Sequence, residues 1–289
     1  MFDCSVCRRV ALSVVLAGLA APVSHAVPLV GTELGVPTNG DAGETVVDTL
    51  VNVDESTSAA SSIGSVGFKD VRSLAYDANS DTLYGIDIIT NSLLTIDPST
   101  GAGTAVGTSA LANFVIGLAY DPNSDTLYGA DNSADQLVTF NTATAGGTAI
   151  GSFNLGSAGD YVVQGLAYDP DNDVLYGVET FQSGGDLITI DTSTGQGTVV
   201  GSIGAPVFGL AYDAATQTLY GTNSAGFNSG DQLYTIDTTT GVGTAVGPLG
   251  SSFSNVQGLA YVPEPATLSV LTALGVVIGS RRRAGRFVS

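Results

Sequence analysis

The sequence predicts an all-β fold, a five-bladed β-propeller of four-stranded blades. Three observations carry it: an internal repeat of 44 to 49 residues, four short β-like runs inside each repeat, and partial repeats at the two ends that complete one another. Composition agrees, since 38 glycines and only 12% charged residues suit many short elements joined by turns, and 44% hydrophobic residues in a chain of 289 can fill a large core.

The repeat is marked by Leu-Ala-Tyr, with its leucine at 74, 118, 166, 210 and 259. In the second copy the four runs are GLAYD, TLYGAD, QLVTF and GTAIGSF. From the leucine of LAY to that of LYG is nine residues in every copy, and ten residues separate Asp97 from Gly107, Asn141 from Gly151, Asp191 from Gly201 and Asp237 from Gly247. These two hairpins have fixed length. The other connections vary: second to third strand, leucine to leucine, takes 10, 10, 12 and 14 residues, and the last glycine to the next LAY leucine takes 11, 15, 9 and 12. Because successive strands run antiparallel, both fixed hairpins fall on one face of the ring and both variable connections on the other.

The ends obey the same ruler. Asp54 stands ten residues before Gly64, as in a third and fourth strand, and Leu29 to Glu33 (LVGTE) matches Leu219 to Asn223 (LYGTN). Val256 to Val262 (VQGLAYV) is a first strand with no blade behind it. Three strands from the front and one from the back make a fifth blade that closes the ring and removes exposed sheet edges. An open solenoid is the alternative, but it has no reason to split one unit across its termini.

Residues 1–26 and 263–289 read as addresses flanking a propeller at 27–262. Arg8 and Arg9, an apolar run from Val10 to about Pro22, and the small residues Ser24 and Ala26 describe a secretory signal cleaved after Ala26. Cleavage there removes Cys4, Cys7 and His25, the chain's cysteines and its one histidine. The mature body then lacks a thiol nucleophile, a Ser/His/Asp triad, histidine-ligated metals and disulfides.

At the other end Pro263, Glu264 and Pro265 precede an apolar stretch from Ala266 to Gly279 and the basic cluster Arg281, Arg282 and Arg283. Motif, span and arginines in this order resemble the PEP-CTERM sorting signal. The resemblance implies an exported bacterial protein processed by an exosortase, with membrane contact only through this segment before processing. The strand pattern GLAYDP, LYGAD, LxTFD also resembles NHL and YVTN propeller repeats, which implies that the GLAYD strand lines the channel and that ligands sit on the loop-rich face. The expected location is the cell surface or extracellular matrix of a bacterium of Gram-negative type.

Between the addresses stand 25 acidic residues, the chain's 27 less Asp3 and Glu264, against two basic ones, Lys69 and Arg72. A net charge of −23 over 27–262 repels phosphate backbones, so nucleic acid is excluded and a cation or basic surface is favoured.

Several residues are candidates for a site. Asp121, Asn123 and Asp125 have the D-x-N-x-D spacing of a calcium loop, as do Asp77, Asn79 and Asp81, and Asp169, Asp171 and Asp173. The fourth copy has Ala215 and Gln217 instead, and no glycine and distal glutamate complete the loop, so turn chemistry explains all four copies better than Ca²⁺. Two residues past each LYG glycine come Asp87, Asp131, Glu179 and Asn223, with Glu33 equivalent in the closing blade. They are expected as a polar ring on the variable face, able to hold a divalent cation or draw a basic partner, or else as caps of the following turns. Two residues before each LAY leucine are Arg72, Ile116, Gln164, Phe208 and Gln257, where Arg72, Gln164 and Gln257 can read a ligand at the channel mouth. The recurrent tyrosines are expected in the core between sheets rather than as a platform for sugar.

No catalytic residue is assigned. The expected function is noncatalytic binding of an exopolysaccharide, cation or surface protein through the variable face. The alternatives are a cation-dependent, lactonase-like hydrolase and a purely architectural matrix module.

Overall fold

The computed structural model describes residues 29–35, 46–109, 114–156, 162–180, 184–223, 231–253 and 255–263. All regular elements among them are strands. β1 (Leu29–Glu33), β2 (Thr49–Val53) and β3 (Ala60–Ser65) come first, followed by the first complete blade, β4 (Val71–Asp77), β5 (Thr82–Asp87), β6 (Ser92–Ile96) and β7 (Gly103–Thr108). Next are β8 (Val115–Asp121), β9 (Thr126–Asp131), β10 (Gln136–Phe140) and β11 (Gly147–Ser152), then β12 (Val163–Asp169), β13 (Val174–Glu179), β14 (Asp186–Ile190) and β15 (Gly197–Ser202). The fourth complete blade is β16 (Val207–Asp213), β17 (Thr218–Asn223), β18 (Gln232–Ile236) and β19 (Gly243–Pro248), and β20 (Val256–Tyr261) ends the series.

These strands form five four-stranded antiparallel sheets, and the closing one has the order β20-β1-β2-β3. Leu29 pairs with Tyr261 and Gly31 with Leu259, so the two ends of the body share a blade as the spacing predicts. The inner strands β4, β8, β12, β16 and β20 each touch their neighbours on both sides, which closes the ring. The apolar stretch from Ala266 to Gly279, expected from its sequence as a short C-terminal helix, and the signal at the front lie outside the described residues. Among the described residues no helix is long and apolar enough to cross a membrane.

Burial falls from the channel outward. A second strand such as TLYGAD is buried in all but its first residue, whereas a fourth strand such as GTVVGS has no buried residue and leaves Thr198, Val199 and Ser202 exposed. The core lies between blades, where residues of adjacent sheets interdigitate. In one such layer Tyr84, Ile86 and Leu93 of one blade meet Val115, Leu118, Leu127 and Phe140 of the next. Each fully buried Leu or Ile contributes about 1.5–3 kcal/mol relative to exposure.

Close approach of blades rests on missing side chains. A Cβ on Gly151 would lie 2.1 Å from the Thr194 carbonyl oxygen, and one on Gly201 would lie 2.1 Å from that of Thr240, so each outer strand abuts the next blade's outer turn. At the inner strands Gly117 faces the Gln164 carbonyl and Gly209 that of Gln257. Ser73 takes this place in β4, and its hydroxyl accepts the Leu118 N–H at 2.6 Å. The ladder between third and fourth strands shifts register in all five blades, for example between Leu137 and Val138, and supplies twist that no sequence period reveals.

Candidate functional site

The channel wall is Leu-Ala-Tyr five times over, from Leu74 to Tyr76 and round to Leu259 to Tyr261, enclosing about 60 Å³. Its two mouths are built differently.

At the mouth on the fixed-hairpin face, the D-x-N-x-D stretches are turns that bind neighbouring blades. Asp77 Oδ1 accepts the N–H groups of Asn79 at 2.8 Å and Ser80 at 3.1 Å, and Oδ2 accepts the Ser80 hydroxyl at 2.5 Å. Asp121 does the same with Asn123 and Ser124. The middle residue reaches across: Asn79 Nδ2 donates to the Pro122 carbonyl at 2.9 Å, and Asn123 Nδ2 to that of Pro170 at 2.8 Å. The last residue has left-handed backbone, φ 55° at Asp81 and Asp125, 57° at Asp173 and 54° at Gln217, a conformation Asp tolerates better than most residues. Its carboxylate also accepts the LAY phenol, Tyr76 to Asp81 at 2.6 Å and likewise Tyr120 to Asp125 and Tyr168 to Asp173. The spacing that suggests calcium therefore encodes a cap, a bridge and a tyrosine acceptor. Asp213 keeps the cap alone, accepting the Ala215 N–H at 2.9 Å.

The outer fixed hairpins repeat the device. Asp97, Asp191 and Asp237 accept hydroxyls and amides of the following turn, and those hydroxyl bonds, from Ser99, Ser193 and Thr239, are the leading cause holding the carboxyls below the usual range.

On the variable face, the predicted polar ring sits at the second-strand ends as expected, but turned into its own connections. Asp87 is 2% and Asp131 0% exposed. Asp87 accepts the Ile89 N–H and the Thr90 hydroxyl, and Asp131 accepts the Ser133 N–H, the Ser133 hydroxyl and the Gln136 side-chain amide. Asn223 accepts the Gln232 N–H at 2.7 Å. Glu179 and Asn223 are buried and Glu33 is half-buried. Of the residues before the LAY leucines, Arg72 is bidentate to Asp70 at 2.5 and 3.2 Å, Gln257 donates to Asn255 at 2.7 Å, and Gln164 is half-buried. Ile116 is buried. Among the described residues no three His, Cys, Asp or Glu side chains come together as a metal cluster. Pro263 is the last described residue and lies at the fixed-face mouth, while Ala26, Glu264, Pro265 and Arg281 to Arg283 fall outside the described residues.

Sequence reasoning missed the latches between blades on this face. Asp48 Oδ2 accepts the Val71 N–H at 2.6 Å and Oδ1 that of Gly35 at 2.8 Å, while Asp231 accepts the Val256 N–H at 2.6 Å. Asn132 accepts the Val163 N–H at 2.8 Å and donates to the Val163 carbonyl at 2.9 Å. Each ties one blade to the first residue of the next inner strand, and the two aspartates flank the closing blade. Burial pushes the Asp48 carboxyl up to about 6, against the pull of its two amide donors. The available signal is an Asp immediately before a third strand, at 48, 135 and 231, which the variable connection lengths obscure.

The tyrosines pack between blades as expected, with Tyr128 stacked on Tyr168 at 6.4 Å and Tyr176 beside Tyr212 at 6.3 Å. The LAY set has a second role, because all five line the fixed-face mouth.

A scan against protein-family models and a search of curated proteins find no match. Solved structures do match. One, from the crystal structure of a nidogen/laminin complex, superposes with a TM-score of 0.52 at 13% identity, over 80% of this chain and 97% of that one. Another, a structural genomics protein of unknown function from Bacteroides thetaiotaomicron, gives 0.52 at 17% identity over 76% of this chain and 60% of that one. Such similarity defines the class: the protein is a five-bladed β-propeller.

Proposed function

We propose that the chain is an exported, exosortase-sorted, noncatalytic protein of the bacterial surface or extracellular matrix, whose propeller binds a polymer, cation or surface protein through its variable face. The observation that carries the binding reading is the asymmetry of the ring. Turns on one face are locked to their neighbours by repeated Asp, Asn and Tyr contacts, and every change in connection length falls on the other. Binding residues concentrate on loops that a rigid scaffold presents. A hydrolase of lactonase type needs several carboxylates or amides converging on the channel, whereas Leu, Ala and Tyr form this wall.

The test exchanges a connection without touching the latch beside it. Replacing residues 224–230 by the shorter sequence of 88–90 keeps Asp231 and alters one loop. Retention of the protein on its own cell-surface and matrix fraction is expected to fall while the unfolding midpoint holds. Unchanged retention would remove the variable face from the reading. For export, mass spectrometry of secreted protein is expected to find Val27 first, and replacing Arg281, Arg282 and Arg283 by Gln is expected to leave the C-terminal segment unprocessed.

A further inference from the structure

The fixed-face mouth has features that turn-locking does not require. Tyr76, Tyr120, Tyr168, Tyr212 and Tyr261 line a cavity of about 310 Å³ there, with Pro122, Pro170 and Ala215 among its other walls. The phenol protons of the first three are committed to Asp81, Asp125 and Asp173, and Asp169 and Asp213 lie beside the hydroxyls of Tyr212 and Tyr261. Burial, with these carboxylates, raises the affinity of all five phenols for their protons, so the rings stay neutral. With the hydroxyls engaged, the carbon frames of the rings are what the cavity offers a guest. A sugar finds few uncommitted donors there.

The charge around the mouth is of one sign. Asp77, Asp121, Asp169 and Asp213 cap the surrounding turns, whereas the two basic residues of the body, Lys69 and Arg72, lie at the start of β4 on the opposite face. An apolar wall inside a negative field favours a guest that is both apolar and cationic, and tyrosine rings add attraction for weakly hydrated ammonium groups. A bare divalent ion is a poorer match, since these carboxylates point into their own turns and toward the phenols.

We propose that this cavity is a second binding site, taking a small organic cation of the alkylammonium type. It is independent of binding on the variable face, and either can fail alone.

The test compares choline with its neutral carbon isostere, 3,3-dimethylbutan-1-ol. Binding is followed by tyrosine fluorescence, which is unobscured because the chain has no tryptophan. Choline is expected to bind at least tenfold more tightly than the isostere and to weaken with added salt. Ala215→Arg places a cation on the rim at an exposed position and is expected to lower choline affinity tenfold or more without changing the unfolding midpoint. Tyr168→Phe, which keeps the ring, is expected to stay within about threefold. Equal affinity for both probes, no saturable signal at millimolar choline, or indifference to Ala215→Arg overturns the proposal.

Discussion

The two faces of the ring spend aspartate in different ways. On the fixed face Asp77, Asp121, Asp169 and Asp213 are buried and cap the short turns that directly follow them, and three of the four companion positions hold a tyrosine of the channel. On the variable face Asp48 and Asp231 are buried and fasten one blade to the next through backbone amides. Repetition with constant spacing makes the first kind a feature of each of the four complete blades. The second kind is placed where a particular junction needs it, beside the blade built from both ends of the body. Uniformity on one face leaves the other free to vary.

That contrast can be broken most severely at the contacts between blades. Gly151→Ala drives a methyl group toward the Thr194 oxygen and is expected to cost about 2–4 kcal/mol, read as a fall in denaturant midpoint. A loss under about 1 kcal/mol would mean that the outer turns yield easily.

The latches are sharpened by pH. The Asp48 carboxyl is raised from 3.8 to about 6, so the folded state holds its proton more tightly than the unfolded chain. Its contribution is therefore fully present below about pH 4 and is lost as pH rises through 6, by roughly 1–3 kcal/mol. Asp48→Asn is expected to remove that fall from the stability profile. An identical profile in the variant would show that the carboxylate is better solvated than its burial implies.

Turn caps come next. Asp77→Ala leaves two amides and the Ser80 hydroxyl without their acceptor and is expected to cost about 1–2 kcal/mol by thermal unfolding. Asp213→Ala is expected to cost about as much, since that cap survives where the calcium-like spacing does not. Sensitivity of the Asp77 copy to chelators, absent from the Asp213 copy, would instead restore a metal to the first three turns. The smallest effect is expected on the varied face, where a Gly-Ser insertion between Gly226 and Phe227 lengthens an already long connection and costs about 0.5 kcal/mol or less.

Much of this architecture was legible in residue spacing. The intervals between Leu-Ala-Tyr copies give the blades, and the match of Leu29–Glu33 to Leu219–Asn223 gives the closure, because a ring of identical units repeats its distances. Side-chain direction was harder to read. Asp87 and Asp131 recur at a strand end that faces the loops, yet short turns fold their amides and hydroxyls back over the carboxylates. The LAY tyrosines alternate as core residues do, and only the closing of five strands around an axis brings their outer ends to one mouth. The latch at Asp231 spans 25 residues to Val256, across connections whose length changes from blade to blade, so no constant offset announces it.

Attachment to the cell surface and matrix is assigned to the varied face, apart from any small guest in the fixed-face mouth. That assignment is tested most directly by retention on the cell-surface and matrix fraction, with two variants measured together: the exchange of 224–230 for the sequence of 88–90, and Ala215→Arg on the opposite face. The exchange is expected to release the protein while Ala215→Arg leaves it bound. Release by Ala215→Arg alone would contradict the assignment.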